Sequence, residues 1–159
     1  MVDLDKVINK LISLSSNKYN LLADILVLTE KQTSVIDVND IDGLNLLIDR
    51  KQECLDSIKQ LDIQFEAIVS DLKVLYDVDK IDDLEVHCVR VLELKQCINR
   101  VMNLVREICK VEDVNKEKIL KSKDELEKKI SNASRGRHAI KQYGNFSAKA
   151  DAYFIDKSK

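Results

Sequence analysis

The chain is 159 residues long, 45% hydrophobic and 34% charged, with no proline, no tryptophan and three glycines. One domain is expected at that length, built from long helices rather than a sheet. A formal net charge of −2 supplies no general attraction to nucleic acid or to an anionic membrane.

The first predicted helix runs from about Asp3, a good N-cap, to Asp37. Its positions at alternating spacings of three and four read Leu4, Val7, Leu11, Leu14, Lys18, Leu21, Ile25, Leu28, Gln32 and Val35, eight of ten apolar. Such a spacing places all of them on one stripe of a helix. Ile8, Ile12, Leu22, Leu26 and Ile36 widen that stripe, which predicts contact with two neighbours.

Asp37-Val38-Asn39-Asp40-Ile41-Asp42-Gly43 interrupts the pattern. Asn and Asp side chains compete with the helical backbone for hydrogen bonds, and Asn39 is the expected N-cap of the second helix. That helix reaches about Tyr76. Its seam is Leu44, Leu47, Lys51, Cys54, Ile58, Leu61, Phe65, Ile68, Leu72 and Leu75, nine of ten apolar. Two stripes of equal length across a short break predict an antiparallel hairpin. Lys18, Gln32, Lys51 and Lys95 interrupt apolar seams, where polar residues fix register.

A second break at Asp77-Val78-Asp79-Lys80, with Asp79 as the cap, precedes a third helix. Its expected seam is Ile81, Leu84, Cys88, Val91, Lys95, Ile98, Met102, Val105 and Cys109, and it fails at Glu112 and Lys116. A weaker stripe returns at Ile119, Leu126 and Ile130. Continued to Asn132, the helix is about 80 Å long at 1.5 Å per residue, against about 50 Å for the first two. Residues past 113 are therefore expected to project, or to break at Asp113-Val114-Asn115 and fold back. The expected fold is all-α: an antiparallel hairpin plus a third long helix in a coiled-coil-like bundle. Residues 1–111 form the core, 112–133 an amphipathic arm and 134–159 an extended tail.

Residues 1–109 hold 13 Lys/Arg and 20 Asp/Glu, whereas residues 110–159 hold 13 and 8. The tail carries Tyr143, Phe146, Tyr153 and Phe154. Aromatic side chains are favoured interface anchors, so a recognition segment and a basic arm for an acidic partner are the functional readings. The blander ones are a solvated helix end and a tail packed loosely on the bundle.

Catalytic constellations are scarce. His87 and His138 are the only histidines, no E-x-x-H motif occurs, and the glycines stand alone. Metal binding, a phosphate loop and a nucleophile–base pair are not expected, and no cofactor is. Cys54, Cys88, Cys97 and Cys109 form no C-x-x-C pair and are expected as free, buried thiols. No secretory leader and no apolar run of membrane-spanning length are read, which predicts a cytoplasmic protein without membrane insertion.

The chain resembles the FlgN family of flagellar type III export chaperones. The resemblance is carried by Leu28-Thr29-Glu30-Lys31-Gln32-Thr33, Asn39-Asp40-Ile41-Asp42-Gly43-Leu44, Asp49-Arg50-Lys51-Gln52-Glu53, the Asn-x-x-x-Ile-Leu element at Asn115–Leu120, and the closing Ala152-Tyr153-Phe154-Ile155-Asp156-Lys157-Ser158-Lys159. It implies a chaperone that covers the helical C-terminal segments of hook-associated (hook–filament junction) proteins and delivers them to the export apparatus. The contact residues expected for that role are Ile119, Leu126, Ile130, Tyr143, Phe146, Tyr153, Phe154 and Ile155, in a helix-in-groove or coiled-coil mode. The competing readings are a coiled-coil scaffold or adaptor for another helix, homodimeric through the third seam, and, more remotely, an enzyme.

Overall fold

A computed structural model describes residues 3–86 and 88–129. Three α-helices are present, α1 (Leu4–Asp37), α2 (Ile41–Leu75) and α3 (Arg90–Lys129), with a 3-10 helix at Ile81–Val86. No strand occurs among the described residues, so the fold is all-α.

Helix ends follow local chemistry. Asp3 caps α1, its carboxylate accepting from the Lys6 amide (3.4 Å). Asn39 closes α1 in the left-handed region, at φ 55°. Its amide donates to the Ile36 carbonyl (3.1 Å) and that of Asp40 to Val35 (2.9 Å), the paired bonds of a Schellman motif. The N-cap of α2 is thus Asp40 rather than Asn39, since Asp40 Oδ1 accepts from the Gly43 amide (2.9 Å). A Cβ on Gly43 would collide with that carboxylate. Asp77, at φ 49°, ends α2 in the same way, with amide bonds from Asp77 to Val74 (3.4 Å) and from Val78 to Lys73 (3.0 Å).

The third helix does not start at the second break. Residues 81–86 form the 3-10 helix and α3 begins at Arg90. Leu84, Cys88 and Val91 nevertheless stay buried, because the chain re-aims between them. Lys95 reaches back to Glu85 (3.1 Å) and Asp82 (3.5 Å). Asp113-Val114-Asn115 does not break α3, which continues to Lys129.

Packing divides the chain into two compact units, Met1–Asp24 with Glu53–Leu104, and Ile25–Gln52 with Val105–Lys159. The core of the first gathers Ile8, Leu11, Leu72, Leu84, Cys88, Val91 and Leu94. In it α2 runs antiparallel to α1: Ile8 and Leu11 cluster with Leu72, while Lys18, further along α1, pairs with Asp62, earlier on α2 (2.7 Å). The second unit has a smaller apolar cluster, Ile36, Leu44 and Ile119, with Val35, Ile41, Ile48 and Leu126 packed against it.

The buried column of α3 differs from the expected one. Val91, Glu112 and Ile119 are buried where expected, with Ile98, Val105 and Leu126 half-buried in the same column, but the second column is Leu94, Val101, Ile108 and Asn115, one residue before Lys95, Met102, Cys109 and Lys116. Apart from Lys95 both columns are apolar in the first half of α3, and the neighbouring helices choose between them. On the observed column Lys116 lies off the seam, and the seam turns polar at Glu112 and Asn115 without ending.

Candidate functional site

Three helices bring their polar seam residues to one layer of the second unit. Gln32 and Thr29 come from α1, Lys51 from α2, and Glu112 and Asn115 from α3. All five are buried, with Gln32, Thr29 and Asn115 fully so. Lys51 Nζ donates to Gln32 Oε1 (3.0 Å) and pairs with the Glu112 carboxylate. Asn115 Nδ2 donates to the Thr29 carbonyl (3.0 Å), and Thr33 Oγ1 donates to Asn115 Oδ1 (2.5 Å). The Thr29 hydroxyl donates to the Ile25 carbonyl (2.7 Å). Gln32 Nε2 and Glu112 Oε2 are buried without a hydrogen-bond partner.

Burial pushes the Lys51 ammonium below its ordinary value, against the upward pull of Glu112. A buried ion pair is a poor source of stability but a strong constraint on what can pack opposite it. Each of the three helices has one acceptable level here, because sliding any of them strands a buried polar group. The layer fixes register.

Sequence reasoning assigned Gln32 and Lys51 to register but missed their partners Glu112 and Asn115, as well as Thr29 and Thr33. A signal was present: Gln32 and Lys51 are the polar interruptions nearest the α1–α2 turn in the first two seams, and Glu112 breaks the third stripe. Three polar interruptions in three seams are expected to meet.

The sequence-derived contact residues fall in two groups. Ile119 is 1% exposed and sits in the core of the second unit, while Leu126 is half-buried against that core. Leu120, beside them, is exposed. Ile130, Tyr143, Phe146, Tyr153, Phe154 and Ile155 lie outside the described residues, as does His87. The stripe at 119–126 thus has partners within the chain, contrary to the expected unpartnered arm.

Two hollows of the first unit lie among the described residues. One, of about 150 Å³, is lined chiefly by Leu14, Leu61, Phe65, Ile98, Val101 and Met102, with Ser15, Lys18 and Asp62 at the same place. The other, of about 200 Å³, is bordered by Ser15, Ser16, Tyr19, Asn20, Cys97 and Arg100.

All four cysteines are free, but only Cys88 is fully buried. Its thiol donates to Asp5 Oδ1 (2.9 Å). Burial raises the Cys54, Cys88 and Cys109 thiols above the ordinary range, with nearby carboxylates adding to it in each case. Among the described residues no group of three or more His, Cys, Asp or Glu is placed to hold a metal, and no helix is long and apolar enough to cross a membrane.

The sequence model of the FlgN protein family matches residues 1–148. The chain belongs to the FlgN family. FlgN proteins are flagellar export chaperones that bind flagellar proteins, which gives the chain its general role. No curated protein and no solved structure matches it. The matched span covers the whole hairpin and all of α3. It stops short of Ala152–Lys159, so the family rests on the helices and not on that closing segment.

Proposed function

We propose that the chain is a cytoplasmic chaperone for the helical C-terminal segments of hook–filament junction proteins. It covers them before assembly and delivers them to the export apparatus. The observation that carries this reading is the FlgN family match across residues 1–148, on a chain whose described part is three long helices. Helices with long faces recognise other helices through apolar stripes.

The proposed contact set is Leu126, Ile130, Tyr143, Phe146, Tyr153, Phe154 and Ile155. Ile119 serves it indirectly, by holding α3 against α1 and α2 through Ile36 and Leu44. Residues 134–159 add six Lys/Arg against two Asp/Glu, a charge that speeds encounter with an acidic segment.

Calorimetric titration of the chain with such C-terminal segments from the same organism tests the proposal. Saturable binding at micromolar affinity or tighter is expected, weakened by roughly tenfold or more, about 1.4 kcal/mol, when residues 134–159 are removed. No binding by a chain that is helical by circular dichroism would leave a helical scaffold with another partner.

A further inference from the structure

The geometry points to a second docking site in the first unit, for a partner helix that offers one large apolar side chain and, on the same face, a carboxylate. This rests on the proposed chaperone reading and adds a surface to it that the contact set above does not include.

The seam of the first unit is underfilled at one level. Between Ile58 and Leu72 no α2 side chain is fully buried. Leu61, Phe65 and Ile98 are only half-buried although all three stand on the apolar seams, and Met102 flanks them. They line the hollow of about 150 Å³, a space that accommodates a group of about the size of one aromatic ring. Lys18, at the corresponding seam position of α1, is drawn to Asp62 (2.7 Å) and so does not fill the gap.

The adjoining hollow supplies the polar half of the site. Arg100 is exposed there, and it makes no ion pair or hydrogen bond among the described residues. Ser15 borders both hollows. As a whole residue it is 5% exposed. Ser16 and Tyr19 border the same hollow. An exposed arginine at a hollow lined otherwise by serine, tyrosine, asparagine and cysteine suits a carboxylate, which takes a guanidinium bidentately. Asp62, the acid at the apolar hollow, is already engaged by Lys18. The occupant is therefore an acidic amphipathic segment, not a basic one.

Three full-length chains, wild type, Arg100→Glu and Met102→Trp, titrated with the C-terminal segment of a hook–filament junction protein, test this. Arg100 is exposed, so its reversal leaves the fold intact, and circular dichroism checks the hollow-filling variant. Each variant is expected to bind roughly tenfold or more weakly. A segment with one carboxylate changed to lysine is expected to recover affinity for Arg100→Glu. Equal binding by all three chains overturns the second site and leaves the chaperone reading standing. Failure of the wild-type chain to bind overturns the chaperone reading, and this site with it.

Discussion

Asn39 and Asp77 hold φ of 55° and 49°, a region that most side chains enter only at a cost of roughly 1–2 kcal/mol. Asn and Asp tolerate it because their short polar side chains bond locally. Both helix ends depend on that tolerance, since the left-handed residue aims the two amides that satisfy the last carbonyls of α1 and α2. Asn39→Ala is expected to destabilise the chain by about 1 kcal/mol, and Asn39→Gly to cost less or nothing, measured by urea unfolding. An alanine variant as stable as wild type would show that the turn tolerates any side chain. Asp40 and Gly43 form the next link: the carboxylate accepts from the Gly43 amide in a rotamer that a Cβ at residue 43 would make it shift.

At the scale of elements, the polar layer of α1, α2 and α3 makes the clearest energetic statement. Glu112→Ala leaves the Lys51 ammonium buried without its counter-ion and is expected to cost about 3–5 kcal/mol. Lys51→Met with Glu112→Leu removes both charges, and is expected to be neutral or stabilising by about 1–4 kcal/mol. Thermal and denaturant unfolding of the two chains check this. Equal losses in both would mean that the pair supplies net stability rather than register. The pH dependence has a definite sign. The folded value of Lys51 is lowered, so between it and the ordinary 10.5 the unfolded chain holds a proton that the fold has given up. Stability from this group therefore rises with pH across that window and is lowest below it. The difference between wild type and the Met/Leu variant is expected to shrink there.

For the whole molecule, stability and recognition are expected to separate along the chain. Ile119 is 1% exposed, so Ile119→Ala is expected to cost about 2–5 kcal/mol and to lower the melting temperature. Tyr153→Ala with Phe154→Ala is expected to leave the melting temperature near that of wild type and to weaken binding of the junction-protein segment by roughly tenfold. Melting curves and titrations on both variants show the separation. A shift in melting temperature without loss of affinity in the aromatic pair would place those residues in the fold instead. The charge of the tail suits its proposed part in this division, because residues 134–159 carry six Lys/Arg against two Asp/Glu.

The sequence by itself determined the helices. Leu44, Leu47, Ile58 and Leu72 on α2, and Leu11, Leu14 and Ile25 on α1, are buried on the stripes their spacing draws, because a 3.6-residue period is a local property of the backbone. It also located both breaks, since Asn39 and Asp77 act through their own and adjacent peptide groups. Tertiary structure decided the rest. Leu94 and Lys95, Val101 and Met102, Ile108 and Cys109 offered α3 two nearly parallel columns, and a choice between columns one residue apart depends on what packs against them. Glu112 read as the end of a seam because a lone carboxylate is expelled from a core. Beside Lys51 and Gln32, contributed by two other helices, it is kept there, and no local rule in the sequence supplies that pairing.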